Sequence, residues 1–139
     1  MIVLGTNVLS EALKPLPSST VLAWLAAQTP SAVFTTTVTL AEILYSVEAL
    51  PRGKRRTGLL SAVEKMFAAE FEGRILPFDE DAARLFAVIV ASRDGAGRPV
   101  SQLDAMIAAI ARSHRAAVAT RNAADFAGCG VQVVDPWAE

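Results

Sequence analysis

Apolar residues recur along this chain in two rhythms, short unbroken runs and longer stretches spaced by three and four, and their alternation predicts the order of elements. Residues 2–4 read as a short buried strand, followed by helical spacing over residues 8–13 with Asn7 as its cap. Pro15 and Pro17 stop that helix. Ser18 or Ser19 caps a second helix carrying Val21, Leu22, Trp24 and Leu25, and the β-branched run over residues 32–38 predicts a second strand. Helical spacing resumes with Leu40, Ile43, Leu44, Val47 and Leu50, breaks between Pro51 and Gly53, and returns over residues 55–69 until Gly73 ends it. Residues 74–78 give a third strand, and Asp79 caps a helix running to about residue 93. After a loop over residues 94–99, Ser101 caps a helix of small residues ending near His114. Residues 117–119 then give a fourth strand and residues 131–134 a fifth.

Strands this short and apolar, separated by helices, predict an α/β fold in which a parallel sheet of about five strands has helices on both faces. Residues 1–139 are expected to form a single domain. In such sheets ligands bind beyond the carboxyl ends of the strands. That rule gathers Gly5 and Thr6 after the first strand, Glu42 after the second, Asp104 at the start of a helix, and the segment from Thr120 to Asp125 after the fourth. Two of these acids have a second reading. Thr39-x-x-Glu42 and Ser101-x-x-Asp104 both have the spacing of a capping box, in which the acid satisfies free backbone N–H groups. Asn122 and Asp125 equally suit a turn after a strand. Glu11 is expected to face away from this edge in a structural ion pair.

Composition narrows the classes. The 13 basic and 14 acidic residues nearly cancel, so there is no overall basic field and any RNA contact must be local. Arg52, Lys54, Arg55 and Arg56 cluster between helices, either as a solvated face or as phosphate contacts, and Arg93, Arg98, Arg112, Arg115 and Arg121 lie toward loops and helix ends. The lone cysteine, Cys129, fits a reducing compartment and a small buried position. The longest apolar runs, residues 85–91 and 105–111, are far short of the roughly 20 residues needed to span a membrane. With no export signal at the N-terminus either, the expectation is a cytoplasmic protein. His114 has no serine or cysteine motif to pair with, and the glycines near residue 97 follow a helix rather than a strand, so neither a catalytic triad nor a dinucleotide fingerprint is indicated.

Four segments together carry a resemblance. Leu4-Gly5-Thr6-Asn7-Val8-Leu9-Ser10-Glu11 is similar to the Asp-Thr-Asn-Val-Leu-Ser-Glu opening of VapC-type toxins of the PIN-domain family, with glycine in place of the aspartate. Thr39-Leu40-Ala41-Glu42 resembles that family's second acidic motif. The stretch Arg98-Pro99-Val100-Ser101-Gln102-Leu103-Asp104-Ala105 resembles the third, and Thr120-Arg121-Asn122-Ala123-Ala124-Asp125-Phe126 the fourth.

The resemblance implies a PIN-like fold and a metal-dependent endoribonuclease, the toxin of a type II toxin–antitoxin pair. Its acidic cluster would bind Mg²⁺ or Mn²⁺, hard ions that take carboxylate oxygens and keep several waters. Carried over by position, Glu42 and Asp104 are the surviving metal ligands, and Asn122 supplies an amide oxygen toward a metal-bound water. Thr6, Thr120 and Asp125 support them, and Arg121 contacts RNA. Gly5 deletes the first ligand at what is expected to be a solvent-facing strand end. Metal occupancy should therefore be weak or absent and activity impaired, with the fold preserved. The alternative is a catalytically silent PIN-fold module that binds antitoxin or RNA without cleaving. The family's usual partners are a VapB-like antitoxin and a second copy of the toxin in a homodimer. The apolar residues Leu22, Trp24, Leu25, Leu40, Ile43, Leu44 and Tyr45 suit either a groove or dimer surface or ordinary core.

Overall fold

Val3 and Leu4 are successive residues of a strand, so their side chains leave on opposite sides, and each is buried in a different core. The computed structural model, which describes residues 1–138, explains why. Strands β1 (Ile2–Leu4), β2 (Val33–Thr36), β3 (Ile75–Leu76), β4 (Ala117–Ala119) and β5 (Val133–Val134) form one sheet in the order β3-β2-β1-β4-β5. Every pairing is parallel. On one face helices α1 (Thr6–Ala12), α2 (Ser19–Ala26), α3 (Thr37–Glu48) and α4 (Lys54–Lys65) bring Val8, Leu9, Val21, Trp24, Ile43, Val47 and Val63 against Leu4, Val33 and Ala119. On the other, α5 (Glu80–Gly95) and α6 (Gln102–Ser113) pack Ile89, Ile107 and Ile110 with Val3 and Val118. The small-residue character of α6 has a packing cause. Ala105, Ala108, Ala109 and Ala111 are fully buried, so no long side chain separates α6 from its neighbours.

The chain passes from β1 to β2 to β3, then crosses back to place β4 on the free side of β1. Connections leaving β1 and β4 therefore diverge, and a crevice opens at the carboxyl ends of these two strands. A short helix, α7 (Ala123–Phe126), follows β4 where sequence had suggested only a turn.

Several boundaries differ from the sequence expectation. Helix α1 begins at Thr6, which puts Gly5 in the capping position and Asn7 inside the helix. β2 ends at Thr36, whose hydroxyl oxygen accepts from the Thr39 backbone N–H at 3.0 Å, and Thr37 and Val38 belong to α3. A threonine cap was enough to turn a β-branched run into the start of a helix. α4 continues into one π-helical segment, Met66–Glu70, that buries Phe67. Ser18 caps α2 through the Val21 N–H. Of the early apolar residues, Trp24 and Ile43 are core, whereas Leu22 is 42% exposed and Tyr45 74%. Among the described residues no helix is long and apolar enough to cross a membrane.

Arg93 is buried, which corrects its placement among the free basic residues near loops. Its Nε donates to the Arg98 carbonyl at 2.5 Å, and its Nη1 to the carbonyls of Asp125 and Ala127 at 3.1 and 2.6 Å. One planar guanidinium thus ties the end of α5 to α7 and to the loop leading into α6. Arg93→Met should leave three carbonyls without their charged donor and lower stability by about 2–4 kcal/mol, with Arg93→Lys recovering less than half. Denaturant unfolding checks this; a loss under about 1 kcal/mol would show that the clamp contributes little.

Candidate metal and nucleic-acid site

The last paired residues of β1 and β4 are Leu4 and Ala119, and the Gly5 N–H donates to the Ala119 carbonyl at 2.8 Å just beyond them. The crossing is then bridged by side chains. Asn7 Nδ2 donates to Thr120 Oγ1 at 3.2 Å, and the same oxygen accepts from the Asn122 N–H at 3.1 Å, so buried Thr120 fixes both α1 and the turn into α7. The Thr6 hydroxyl donates to Glu42 Oε1 at 2.7 Å and draws α3 to the same edge. Behind it, Thr39 Oγ1 lies 3.3 Å from Thr6 Oγ1 and 3.2 Å from Thr36 Oγ1, a short run of hydroxyls leading from the helix cap to the carboxylate.

This geometry separates the two readings of the acids. Thr36, not Thr39, caps α3, so Glu42 stands in the second turn, beyond reach of the free N–H groups, and its carboxylate serves the edge instead. Ser101 does cap α6, accepting from the Asp104 N–H at 3.2 Å, and Asp104 faces the crevice as well.

Gly5, Thr6, Glu42, Asp104, Thr120, Arg121, Asn122 and Asp125, every site residue proposed from sequence, line one cavity of about 410 Å³. Asn7, Glu11, Lys14 and Trp137 line it too. Glu11 therefore does not face away as expected, although its ion pair is present. Its Oε1 meets Lys14 Nζ at 3.0 Å and its Oε2 accepts from the Ser18 N–H at 3.0 Å, and these bonds, Lys14 first, hold its carboxyl below the usual range. Asn7 and Glu11 stand four apart on α1 and so share one face of it, with Lys14 in the turn just beyond its end.

Four carboxylates and two cations line the cavity. Asp104 shows the imbalance. Burial raises its pKa, the Ser101 hydroxyl opposes this, and repulsion from Asp125 adds to the rise. A site with this surplus of acid attracts cations.

Residues 2–127 match the family described as PIN domain. The chain belongs to the PIN-domain family. It is 39% identical over 137 residues to the VapC ribonuclease Y4jK of Sinorhizobium fredii, covering 99% of this chain and 98% of that protein. Toxin FitB of Neisseria gonorrhoeae is also 39% identical over 137 residues, with 99% of each chain covered. The crystal structure of FitAcB from the same organism superposes with a TM-score of 0.94 at 38% identity over the full length of both chains.

Within this PIN domain, Gly5 is buried rather than solvent-facing. Its φ of −69° and ψ of 163° are ordinary extended values, so the backbone does not require glycine. A Cβ there would lie 3.0 Å from the Ala119 carbonyl oxygen, tight enough that this backbone must give by a few tenths of an ångström, and 3.6 Å from both Asn7 Oδ1 and Thr120 Cβ. Asn7 Oδ1 is itself buried and has no hydrogen-bond partner in the described structure. Among the described residues no three of His, Cys, Asp and Glu are grouped closely enough to hold a metal ion. Glu42 and Asp104 supply hard carboxylate oxygens of the kind a divalent ion takes.

The pKa of Asp104 carries a sign. A carboxyl whose native pKa is raised binds its proton more tightly when folded, so it subtracts stability as pH climbs from its ordinary value of 3.8 through the raised one. Asp104→Asn should therefore gain stability relative to the unaltered chain across that window, by roughly 1–4 °C in Tm between about pH 3 and pH 7. Melting both proteins as a function of pH checks it; a difference independent of pH would contradict the assigned cause.

Proposed function

We propose that this chain is the toxin of a type II toxin–antitoxin pair, organised as a metal-dependent endoribonuclease and impaired by Gly5. The observation that carries the reading is the cavity between β1 and β4, which collects Glu42, Asp104 and the Thr120–Asp125 segment around position 5. Likeness to the VapC ribonuclease Y4jK supports RNA as the substrate. In this reading Glu42 and Asp104 are ligands for Mg²⁺ or Mn²⁺, and Asn122 offers an amide oxygen from the opposite wall. Thr6 orients Glu42 by the hydrogen bond described above, and Thr120 and Asp125 shape the fourth side. One carboxylate short, the site binds the ion weakly.

The proposed inhibitory partner is a VapB-like antitoxin. A second groove, lined by Leu13, Ile43, Val47 and Leu59 with Lys54 and Arg55 at its edge, adjoins the first, and Ser10 and Lys14 line both. An amphipathic segment seated there would reach the cavity, which supports inhibition by direct cover. A homodimer remains part of the proposal, with Leu22 and Tyr45 as exposed apolar residues available to it.

A silent module that binds without cleaving is the second reading, and Gly5 is the observation that favours it. Gly5→Asp discriminates. Loss of an outer-shell partner of a metal site typically costs 10–100-fold, so restoring a direct ligand should raise Mg²⁺- or Mn²⁺-dependent RNA cleavage by more than ~100-fold. An aspartate in the capping position of α1 should leave stability within about 1 kcal/mol, and Tm should rise on adding Mn²⁺. A folded Gly5→Asp protein that cleaves no RNA with either ion sinks the nuclease reading. Robust cleavage by the unaltered chain, abolished by Asp104→Ala, sinks the silent one.

A further inference from the structure

Arg121 and Trp137 form a feature of the cavity that the metal-site reading leaves unused. The Arg121 guanidinium carbon lies over the Trp137 ring at 5.2 Å from its centroid, and both residues line the cavity. Trp137 is anchored. Its N–H donates to Asp135 Oδ1 at 2.9 Å, the intervening Pro136 is buried, and the ring packs against the core beneath α1 to α4. Arg121 is exposed and joins no salt bridge among the described residues, although acids line the same cavity.

An arginine held by cation–π attraction over a fixed indole keeps its planar guanidinium beside the cavity in advance of any ligand. Such a plane suits an unstacked nucleobase, which is neutral and meets no repulsion from the neighbouring carboxylates, while the guanidinium edge takes the adjoining phosphodiester. We propose that Trp137 and Arg121 form a shelf that stacks one base of single-stranded RNA beside the acidic cluster, with Trp137 as the residue that positions Arg121. The inference rests on the nuclease reading for its choice of RNA, but not on cleavage.

The test is binding of a labelled single-stranded RNA oligomer by fluorescence anisotropy, in EDTA, to the full chain with Gly5 retained. An abasic oligomer of equal length and charge serves as the control. Arg121→Lys, which keeps the charge but loses the plane, and Trp137→Leu should each weaken RNA binding by about tenfold, while Trp137→Phe stays within about threefold of the unaltered chain. The abasic oligomer should bind more weakly from the outset and respond little to either substitution. If Trp137→Leu fails to fold by circular dichroism, Arg121→Lys, which leaves the core intact, decides alone. Unchanged RNA affinity in Arg121→Lys, equal losses for the abasic oligomer, or no RNA binding by the unaltered chain would overturn the shelf. A Gly5→Asp protein that fails to cleave yet shows this pattern would overturn the nuclease reading and leave the shelf standing.

Discussion

The site depends on how β1 and β4 diverge. They run parallel through Leu4 and Ala119, one further backbone bond from Gly5 to Ala119 holds them, and then one chain turns into α1 and the other toward α7. Because the strand order reverses here, no connecting helix covers the gap, and the functional side chains all stand on its rim. The bridge from Asn7 to Thr120 keeps the gap at a fixed width, and Thr6 couples it to Glu42 on α3. Behind the rim, Val3 and Val118 belong to one core and Leu4 and Ala119 to the other, so the floor is set by close packing on both faces rather than by a loop.

Electrostatics pull against that packing. Lys14 compensates Glu11, but Asp104 carries a raised pKa, caused first by its burial and to a lesser degree by repulsion from Asp125. The scaffold accepts the strain because other contacts hold the carboxylates' supports in place. Arg93 grips the backbone at Asp125 and Ala127, and the Ser101 cap fixes the first turn of α6.

Much of this was legible in the residue pattern, for identifiable reasons. The runs Ile2–Leu4 and Ala117–Ala119 are short and apolar because both faces of the sheet are covered, and the switch-point rule then brought Glu42, Asp104 and Thr120 to one edge. What was hidden depended on distant partners in some places and on local helix starts in others. Arg93 reads as one more surface arginine because its acceptors are backbone carbonyls 32 and 34 residues on, which leave no side-chain signature. Glu11 was turned the wrong way by an error of two residues in the start of α1, and Thr36 was hidden as a cap by the strand-forming residues around it. Trp137 has no periodic context, so only the fold could bring it over to Arg121.

Gly5 can now be judged against the backbone. Glycine is favoured where φ is positive, as at Gly128 with φ of +74°, but Gly5 has the extended conformation any residue adopts. Its nearest would-be contacts, the Ala119 carbonyl, Asn7 Oδ1 and Thr120 Cβ, are the floor of the cavity, so a side chain at this position would project among the site residues and not into either core. The two cores are complete without it, which is why the fold tolerates its absence. What glycine leaves open is thus space at the edge where β1 and β4 separate, among the side chains of the candidate site.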